Sequence, residues 1–249
     1  MKKVNLNKRS SQKGFTLVEL AVVMIIVGLL IGGILKGQQL ITNAQVASTI
    51  TQIKGIDTAV STFRDSYRAL PGDMSGASTR LPNCTSAPCS TGGDGNGRLN
   101  NTPTANPAAG DEGVIMFANL AAADLLSGID GSTTIQWGSA LPAASSGGGF
   151  YAGYHASGPL GANAAPVGGH YLSLQADPAG PSGTGFGALD ANQAQRIDNK
   201  MDDGATTTGS VFPADAGNGC GQVVSSAPNG LYDTVTNAKA CDLFIRMQG

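Results

Sequence analysis

Four cysteines are the residues whose spacing most directly suggests covalent chemistry. Cys84 and Cys89 enclose four residues, and Cys220 and Cys241 form a second pair near the end of the sequence. Four cysteines permit three pairings, of which local pairing is the simplest. Zinc binding is the alternative chemistry, but no histidine lies near either pair. We therefore predict two disulfides, Cys84–Cys89 and Cys220–Cys241, and no metal at these residues.

The stretch GDGNGRLNN at 93–101 raises a second chemistry, which is calcium binding. Three side chains there offer oxygen ligands: Asp94, Asn96 and Asn100. The EF-hand pattern fails, because Arg98 and Leu99 stand where a ligand and a glycine belong. Gly, Asn and Asp are also the residues of ordinary turns. We favour a turn and predict no cofactor, with calcium as the alternative.

The sequence contains none of the common catalytic patterns. It has no G-x-S-x-G elbow, no H-E-x-x-H and no phosphate-binding G-x-x-x-x-G-K-[ST]. His155 and His170 lie in Gly-rich sequence away from any acid–nucleophile pattern, and adjacent carboxylates such as Asp111 and Glu112 are common on surfaces. The sequence therefore favours a protein that is not an enzyme.

Charge is distributed unevenly along the chain. Residues 1–14, here called the leader, contain five basic residues and no acidic ones. The remaining residues contain ten basic and seventeen acidic ones, so their formal net charge is −7. Because binding to phosphate backbones needs clustered Lys and Arg, an acidic body argues against nucleic acid as a partner.

The element that follows the leader is an apolar run of 21 residues from Phe15 to Leu35. As a helix it spans roughly 30 Å, the thickness of the hydrocarbon region of a membrane. It is longer than the core of an ordinary secretory signal, and no clear A-x-A cleavage site follows it. A plain membrane anchor explains the basic leader but leaves Glu19 unexplained, because an acid in a spanning helix is costly.

The sequence KGFTLVEL at 13–20 resembles the processing site of type IV pilins and of type II secretion pseudopilins. The resemblance implies that a prepilin peptidase cuts between Gly14 and Phe15, and that the new amino terminus of Phe15 is N-methylated. Glu19 then corresponds to the glutamate at the fifth position of the mature chains of this family.

Glu19 has three interpretations. In a bundle of such helices, the amine of one Phe15 can approach the Glu19 of another chain, and this pairing would set the axial register of the subunits. Thr16 and Glu19 also fit a capping box, which would only fix the start of the helix. The third option is a pair with the chain's own amine. We favour the pairing between subunits.

The helix is predicted to continue beyond the apolar run. Apolar residues recur at steps of three and four, which indicates an amphipathic helix with Gln45, Thr49 and Gln52 on its polar face. Pro71 and Gly72 predict its end. The predicted apolar stripe consists of Leu40, Ala44, Ala47, Ile50, Ile53, Ile56, Val60, Phe63 and Tyr67.

Residues 71–249, here called the head, are predicted to contain helices and a sheet. Two segments, 111–130 and 189–204, read as helices, with Asp190 as the cap of the second. Four segments read as strands: 133–137, 148–155, 170–176 and 241–247. We therefore predict an α+β, pilin-like fold, with a long N-terminal helix packed on a loop-rich antiparallel sheet.

The family resemblance extends weakly into the head. YRALPGDM at 67–74, followed by a Cys loop and a Gly-Asp-Gly-Asn stretch, is similar to some secretion-type pilin-like proteins. The pair Cys220–Cys241 resembles the disulfide-bounded C-terminal loop of many pilins, and main pseudopilins hold calcium in a head loop. Unlike major pilins, this chain has no proline in its apolar run, which favours a minor or atypical subunit.

Together these features predict a structural subunit of a type IV pilus or a type II secretion pseudopilus. The predicted regions are the leader at 1–14, a transmembrane and filament-core helix at 15–36, its amphipathic half at 37–70, and the head. The resemblance implies a single-pass inner-membrane protein with a periplasmic head, or a cell-surface filament. The implied partners are other pilin-like subunits of the same or different kinds, the prepilin peptidase, the inner-membrane assembly machinery and membrane lipid. The alternative is a membrane-anchored periplasmic binding or adhesive protein that does not assemble.

Overall fold

The computed structural model describes residues 14–156, 167–178, 187–213, 220–222, 230–235 and 239–248. The chain divides into two compact units, Met1–Asn43 and Ala44–Gly249. All but one of the residues of the leader lie outside the described ranges. The boundaries predicted at 36 and 70 stay predictions.

The first helix, α1, spans Leu17–Tyr67. Its most apolar 18-residue window has a mean hydropathy of 2.7, and none of that window is buried. Leu17, Leu29 and Leu30, for example, are exposed. By length and composition this part of α1 is able to cross a membrane.

In the second unit, α1 buries one side in the core. The residues from Ile50 to Phe63 that were predicted to be apolar and inward-facing are buried, which confirms that part of the stripe. The earlier part is wrong: Leu40, Ala44 and Ala47 are exposed. Thr49, which was predicted on the polar face, is instead fully buried. Its Oγ1 accepts a hydrogen bond from the Ser146 backbone N–H at 3.2 Å, which satisfies the hydroxyl in the core.

The end of α1 lies shortly before Pro71. The helix stops at Tyr67, before Pro71, and Arg68 adopts a left-handed backbone with φ of 51°. A left-handed residue is a common way to end a helix, although glycine usually occupies the position. The conformation of Arg68 therefore terminates α1 before proline can do so.

The main sheet has four antiparallel strands. The strands are β1 (Gly149–His155), β2 (Gly169–Gln175), β4 (Val211–Pro213) and β8 (Leu243–Arg246), in the spatial order β1-β2-β8-β4. Phe150, Leu172 and Leu243 lie in the buried core that also contains Phe63 of α1. The sheet and the long helix confirm the predicted α+β class.

Two short ribbons complete the strands. One pairs β3 (Leu189–Asp190) with β7 (Lys239–Cys241), and the other pairs β5 (Gly221–Gln222) with β6 (Leu231–Tyr232). The strand predicted at 241–247 is therefore divided between two sheets.

The predicted helix at 189–204 forms as α4 (Ala191–Met201). The Asp190 side chain accepts a hydrogen bond from the Gln193 backbone N–H at 2.8 Å, and the Gln193 side chain accepts one from Asp190 N–H at 3.1 Å. Asp190 is therefore the cap, as predicted, within a capping box.

The segment between α1 and the main sheet contains mostly short helices. It contains the short helix α2 (Ala77–Arg80), a 3₁₀ turn (Cys89–Thr91) and α3 (Glu112–Ala122). Gly113 lets α3 lie directly on β1, because a Cβ there would collide with the Ala152 carbonyl oxygen.

The helix predicted at 111–130 is shorter than expected. Asp124 adopts a left-handed backbone with φ of 56°, and the Leu125 N–H donates to the Leu120 carbonyl at 2.9 Å. This arrangement resembles a Schellman ending, so that α3 ends well before Gly128.

The prediction of a strand at 133–137 is wrong, because no strand forms there. Trp137 forms only an isolated bridge to Leu141, and its indole Nε1 donates to the Ala176 carbonyl at 3.0 Å. A side-chain anchor, not a strand ladder, holds this segment.

Candidate functional site

The start of α1 places Glu19 beside Thr16. One carboxylate oxygen of Glu19, Oε2, accepts hydrogen bonds from the backbone N–H and the hydroxyl of Thr16, both at 2.8 Å. The Glu19 backbone N–H donates to Thr16 Oγ1 at 3.2 Å. These contacts form a capping box in which Thr16 is the N-cap and Glu19 is the third helical residue.

The second Glu19 oxygen, Oε1, accepts no hydrogen bond from any described residue. A carboxylate has acceptor capacity for several donors, so the capping box leaves room for a cation at Oε1. Capping and pairing between subunits are therefore compatible roles of one side chain.

Gly14 and Phe15 lie before the first helical residue. The Phe15 side chain is 90% exposed, and no atom outside its sequence neighbours would lie within 4 Å of a Cβ on Gly14. The bond between them thus lies outside the helix, with no contact from the other described residues near Gly14.

The apolar surface that follows is not covered by any of the residues that the structure describes. The exposed apolar residues run along α1 from Leu17 to Ile41. A surface of this size is stable only against lipid or against other apolar helices. The site is thus a capped helix start, with one carboxylate, at the end of an unpartnered apolar helix.

Residues 9–35 match the family described as the prokaryotic N-terminal methylation motif. This motif is the signature of the prepilin-type segment of type IV pilins and pseudopilins. It implies processing by a prepilin peptidase and assembly with pilin-like subunits. The matched residues include Gly14, Phe15 and Glu19, whereas the head lies outside the match. No curated protein and no solved structure matches the chain.

Two disulfides stabilise the second unit. Cys84 is bonded to Cys89, with Cα atoms 5.3 Å apart, and Cys220 is bonded to Cys241, with Cα atoms 4.9 Å apart. The second bond attaches strand β7 to the residue just before β5. Both pairs are local in sequence, as the spacing suggested.

A second group of polar residues surrounds the loop at 93–101. Asp73, Asp94 and Glu112, here called the acidic group, each place a carboxylate oxygen within 4.8 Å of the other two. Asp94 was a predicted calcium ligand, whereas Asp73 and Glu112 were not identified from the sequence. They lie outside the loop in the chain, Asp73 before it and Glu112 after it.

Backbone N–H groups bind most of these carboxylate oxygens. Asp73 Oδ1 accepts from Gly95 at 2.7 Å and from Asn96 at 3.1 Å, and Asp73 Oδ2 accepts from Gly97 at 2.7 Å. The two Glu112 oxygens accept from the N–H groups of Asp94 at 3.1 Å and Asn100 at 2.7 Å. The acidic group thereby fixes the shape of the loop.

The other two predicted calcium ligands are occupied within the turn. Asn96 Oδ1 accepts from the Arg98 N–H at 2.8 Å, and Asn100 Oδ1 accepts from the Glu112 N–H at 3.2 Å. The Asn96 and Asn100 oxygens thus accept hydrogen bonds that stabilise the turn.

Burial changes the acidity of the acidic group. Desolvation raises the pKa of Asp73 and the pKa of Glu112 above their ordinary values, although the N–H donors partly oppose this. The charges of Asp73 and Asp94 also raise the pKa of Glu112. Proximity of the carboxylates therefore has an electrostatic cost.

Proposed function

We propose that the protein is a structural, pilin-like subunit that a prepilin peptidase processes between Gly14 and Phe15 and that then assembles into a type IV pilus or a type II secretion pseudopilus. The observation that supports it is the coincidence of the methylation motif with an exposed cleavage segment and an uncovered apolar helix. The missing proline in that helix favours a minor or atypical position in the assembly.

In this mechanism the apolar half of α1 is stored in the inner membrane, with the head in the periplasm. Assembly exchanges contacts with lipid for contacts with the helices of other subunits. The cationic, methylated amine of Phe15 on one subunit approaches Glu19 of another, where the low dielectric of a helix bundle strengthens their attraction. An unpaired buried carboxylate is costly, so the pair selects one axial register.

The decisive experiment replaces Glu19 with alanine. Glu19→Ala is expected to be processed and inserted in the membrane but to be missing from filaments recovered by shearing. Asp65→Ala is the matched control, because it removes an exposed carboxylate from the same helix. Normal incorporation of Glu19→Ala would show that pairing at this residue does not direct assembly.

Processing is tested separately at the predicted cut. Gly14→Val places a branched side chain at the position where the resemblance implies glycine. Mass spectrometry of the purified chain should find an intact leader in this variant and an N-methylated Phe15 in the wild type. An unmodified wild-type amino terminus that retains the leader would contradict the proposed processing.

The alternative is a membrane-anchored periplasmic binding or adhesive protein that does not assemble into a filament. It predicts no shear-recoverable filament from any growth condition, even when the leader has been removed. The genes beside this one, which would encode secretion-channel or pilus machinery, distinguish the two assemblies within the main proposal.

For the acidic group we propose loop anchoring and not a cofactor site. The support is that each of its carboxylates accepts backbone N–H bonds from the loop. Calorimetric titration of the full chain in detergent with calcium is expected to give no saturable heat. A saturable transition that Asp73→Asn abolishes would establish calcium binding instead.

A further inference from the structure

An open groove of about 710 Å³ lies in the second unit, between the end of α1, the turn after it and the start of β2. Its lining is mainly charged and polar. Six of its side chains matter here: Arg64, Arg68, Arg80, Asp73, His170 and Gln248. We call it the arginine groove. A volume of this size is typical of sites for small organic ligands.

The concentration of arginine here is unusual for this chain. Two further arginines adjoin the groove, so five of the six arginines after the leader lie together on one side of an otherwise acidic body. Arg98 lies over the Tyr154 ring, 4.9 Å from its centroid, and that ring contacts His170. Arg246 lines an adjoining groove of about 390 Å³ that shares His170 and Gln248.

The five arginines outnumber the two carboxylates that line the groove, Asp65 and Asp73. In the part of the chain that the structure describes, no carboxylate forms an ion pair with any of the five arginines. Arg80 donates to the Tyr67 carbonyl, which is a neutral partner. Of the two carboxylates that line the groove, Asp73 is already bound by the N–H groups of residues 95–97, and Asp65 directly follows Arg64 in the chain.

His170 is affected by both its burial and the nearby arginines. Burial, together with the charges of Arg64 and Arg98, lowers the pKa of His170 to about 4. The imidazole is therefore neutral at physiological pH. Its Nε2 atom is buried and has no hydrogen-bond partner among the described residues. A buried polar atom without a partner is costly, so this nitrogen has an unused bonding capacity beside the groove.

The backbone at Arg68 adds a third feature. Its left-handed φ of 51° is uncommon for a residue with a long side chain, and strained backbone persists only where other contacts hold it. The conformation ends α1 at the point where Arg68 joins Arg64 in lining the groove.

We propose that the arginine groove binds a small organic anion through phosphate or carboxylate groups. Guanidinium groups bind such oxyanions with two parallel hydrogen bonds, and their planar geometry favours them over lysine for this purpose. The neutral His170 supplies an additional polar contact. This site is separate from the N-terminal segment, so it holds whether or not the protein assembles into filaments.

The test uses the full chain in neutral detergent at low ionic strength, with inorganic pyrophosphate and citrate as probes in calorimetric titrations. The combined variant Arg64→Gln, Arg68→Gly removes two groove charges. Glycine suits the left-handed position, so this variant should fold. The control, Lys54→Gln with Lys200→Gln, removes the same charge from exposed helix positions elsewhere.

We expect one saturable binding event in the wild type with at least one of the probes. The groove variant should bind that probe at least about tenfold more weakly, whereas the control should stay within about twofold of the wild type. His170→Phe, which keeps an aromatic ring against Tyr154, should weaken binding without lowering the melting temperature. The proposal is overturned if neither probe saturates the wild type at millimolar concentration, or if the groove variant and the control lose affinity equally.

Discussion

Replacement of Glu19 by glutamine separates the two roles that the structure allows for this side chain. Glutamine at the third helical position retains an oxygen that can accept both Thr16 donors, so Glu19→Gln keeps the capping box. It removes the negative charge that a neighbouring amine would need. The variant is nearly the same size as the wild type, so the packing of α1 is preserved.

The expected magnitudes differ enough to be resolved. Glu19→Gln should keep nearly all of the capping interaction. An ion pair between subunits is stronger in the low dielectric of a helix bundle than in water, and desolvation of the charges offsets part of this. Loss of such a pair is expected to lower the association constant by about 100-fold. Glu19→Gln should therefore fail to assemble almost as completely as Glu19→Ala.

The assay measures the fraction of the protein in sheared filaments relative to the fraction in the membrane, after confirmation that the leader has been removed. Thr16→Ala is the reciprocal control, because it removes the capping donor and acceptor but leaves the Glu19 charge. It should assemble at close to the wild-type level. If Glu19→Gln assembles normally while Thr16→Ala does not, the helix cap is the functional contact and the pairing hypothesis is refuted.

Three further predictions concern the second unit. Burial raises the pKa of Asp198 to about 7, so the folded state holds a proton that the unfolded state has released. The free energy of unfolding should therefore fall as the pH rises from about 4 to 7. Asp198→Asn should reduce this pH dependence. Thermal melts at pH 5 and pH 8 check it, and an equal change in melting temperature between the two pH values for both proteins would contradict it. Asp124→Gly should raise the free energy of unfolding by about 0.5–1 kcal/mol, since glycine suits a left-handed residue, whereas Asp124→Ala should not; denaturant titration distinguishes them. Asp73→Ala removes the acceptor of three backbone N–H groups and should cost about 2–3 kcal/mol, against less than about 0.5 kcal/mol for Asp65→Ala in the same titration.

Local patterns predicted the elements whose residues interact with near neighbours in the chain. The apolar run fixes α1, and the steps of three and four from Ile50 to Phe63 fix its buried side. Asp190 and Gln193 predict a helix start because both partners of a capping box lie within one turn. The strands that contain Phe150 and Tyr171 are visible because aromatic residues recur in short segments bounded by glycine.

The features that the sequence did not reveal depend on distant contacts. Thr49 looks like a surface residue until the loop containing Ser146 packs against it. Trp137 has the residue type of a strand, yet its hydrogen bond to Ala176 decides its conformation. Asp73 and Glu112 lie outside the loop at 93–101, and their hydrogen bonds to it form only in the folded chain. Positions at which the backbone turns left-handed without glycine, such as Arg68, carry no signal in the residue type.

The capping box at the start of α1 also bears on the leader. Both of its partners, Thr16 and Glu19, lie on the same side of the Gly14–Phe15 bond, and the first helical backbone bond runs from the Leu20 N–H to the Thr16 carbonyl at 3.2 Å. Hydrolysis of the Gly14–Phe15 peptide bond would remove none of these hydrogen bonds. Under the proposed processing, the precursor and the product would therefore share the same helix start at Thr16.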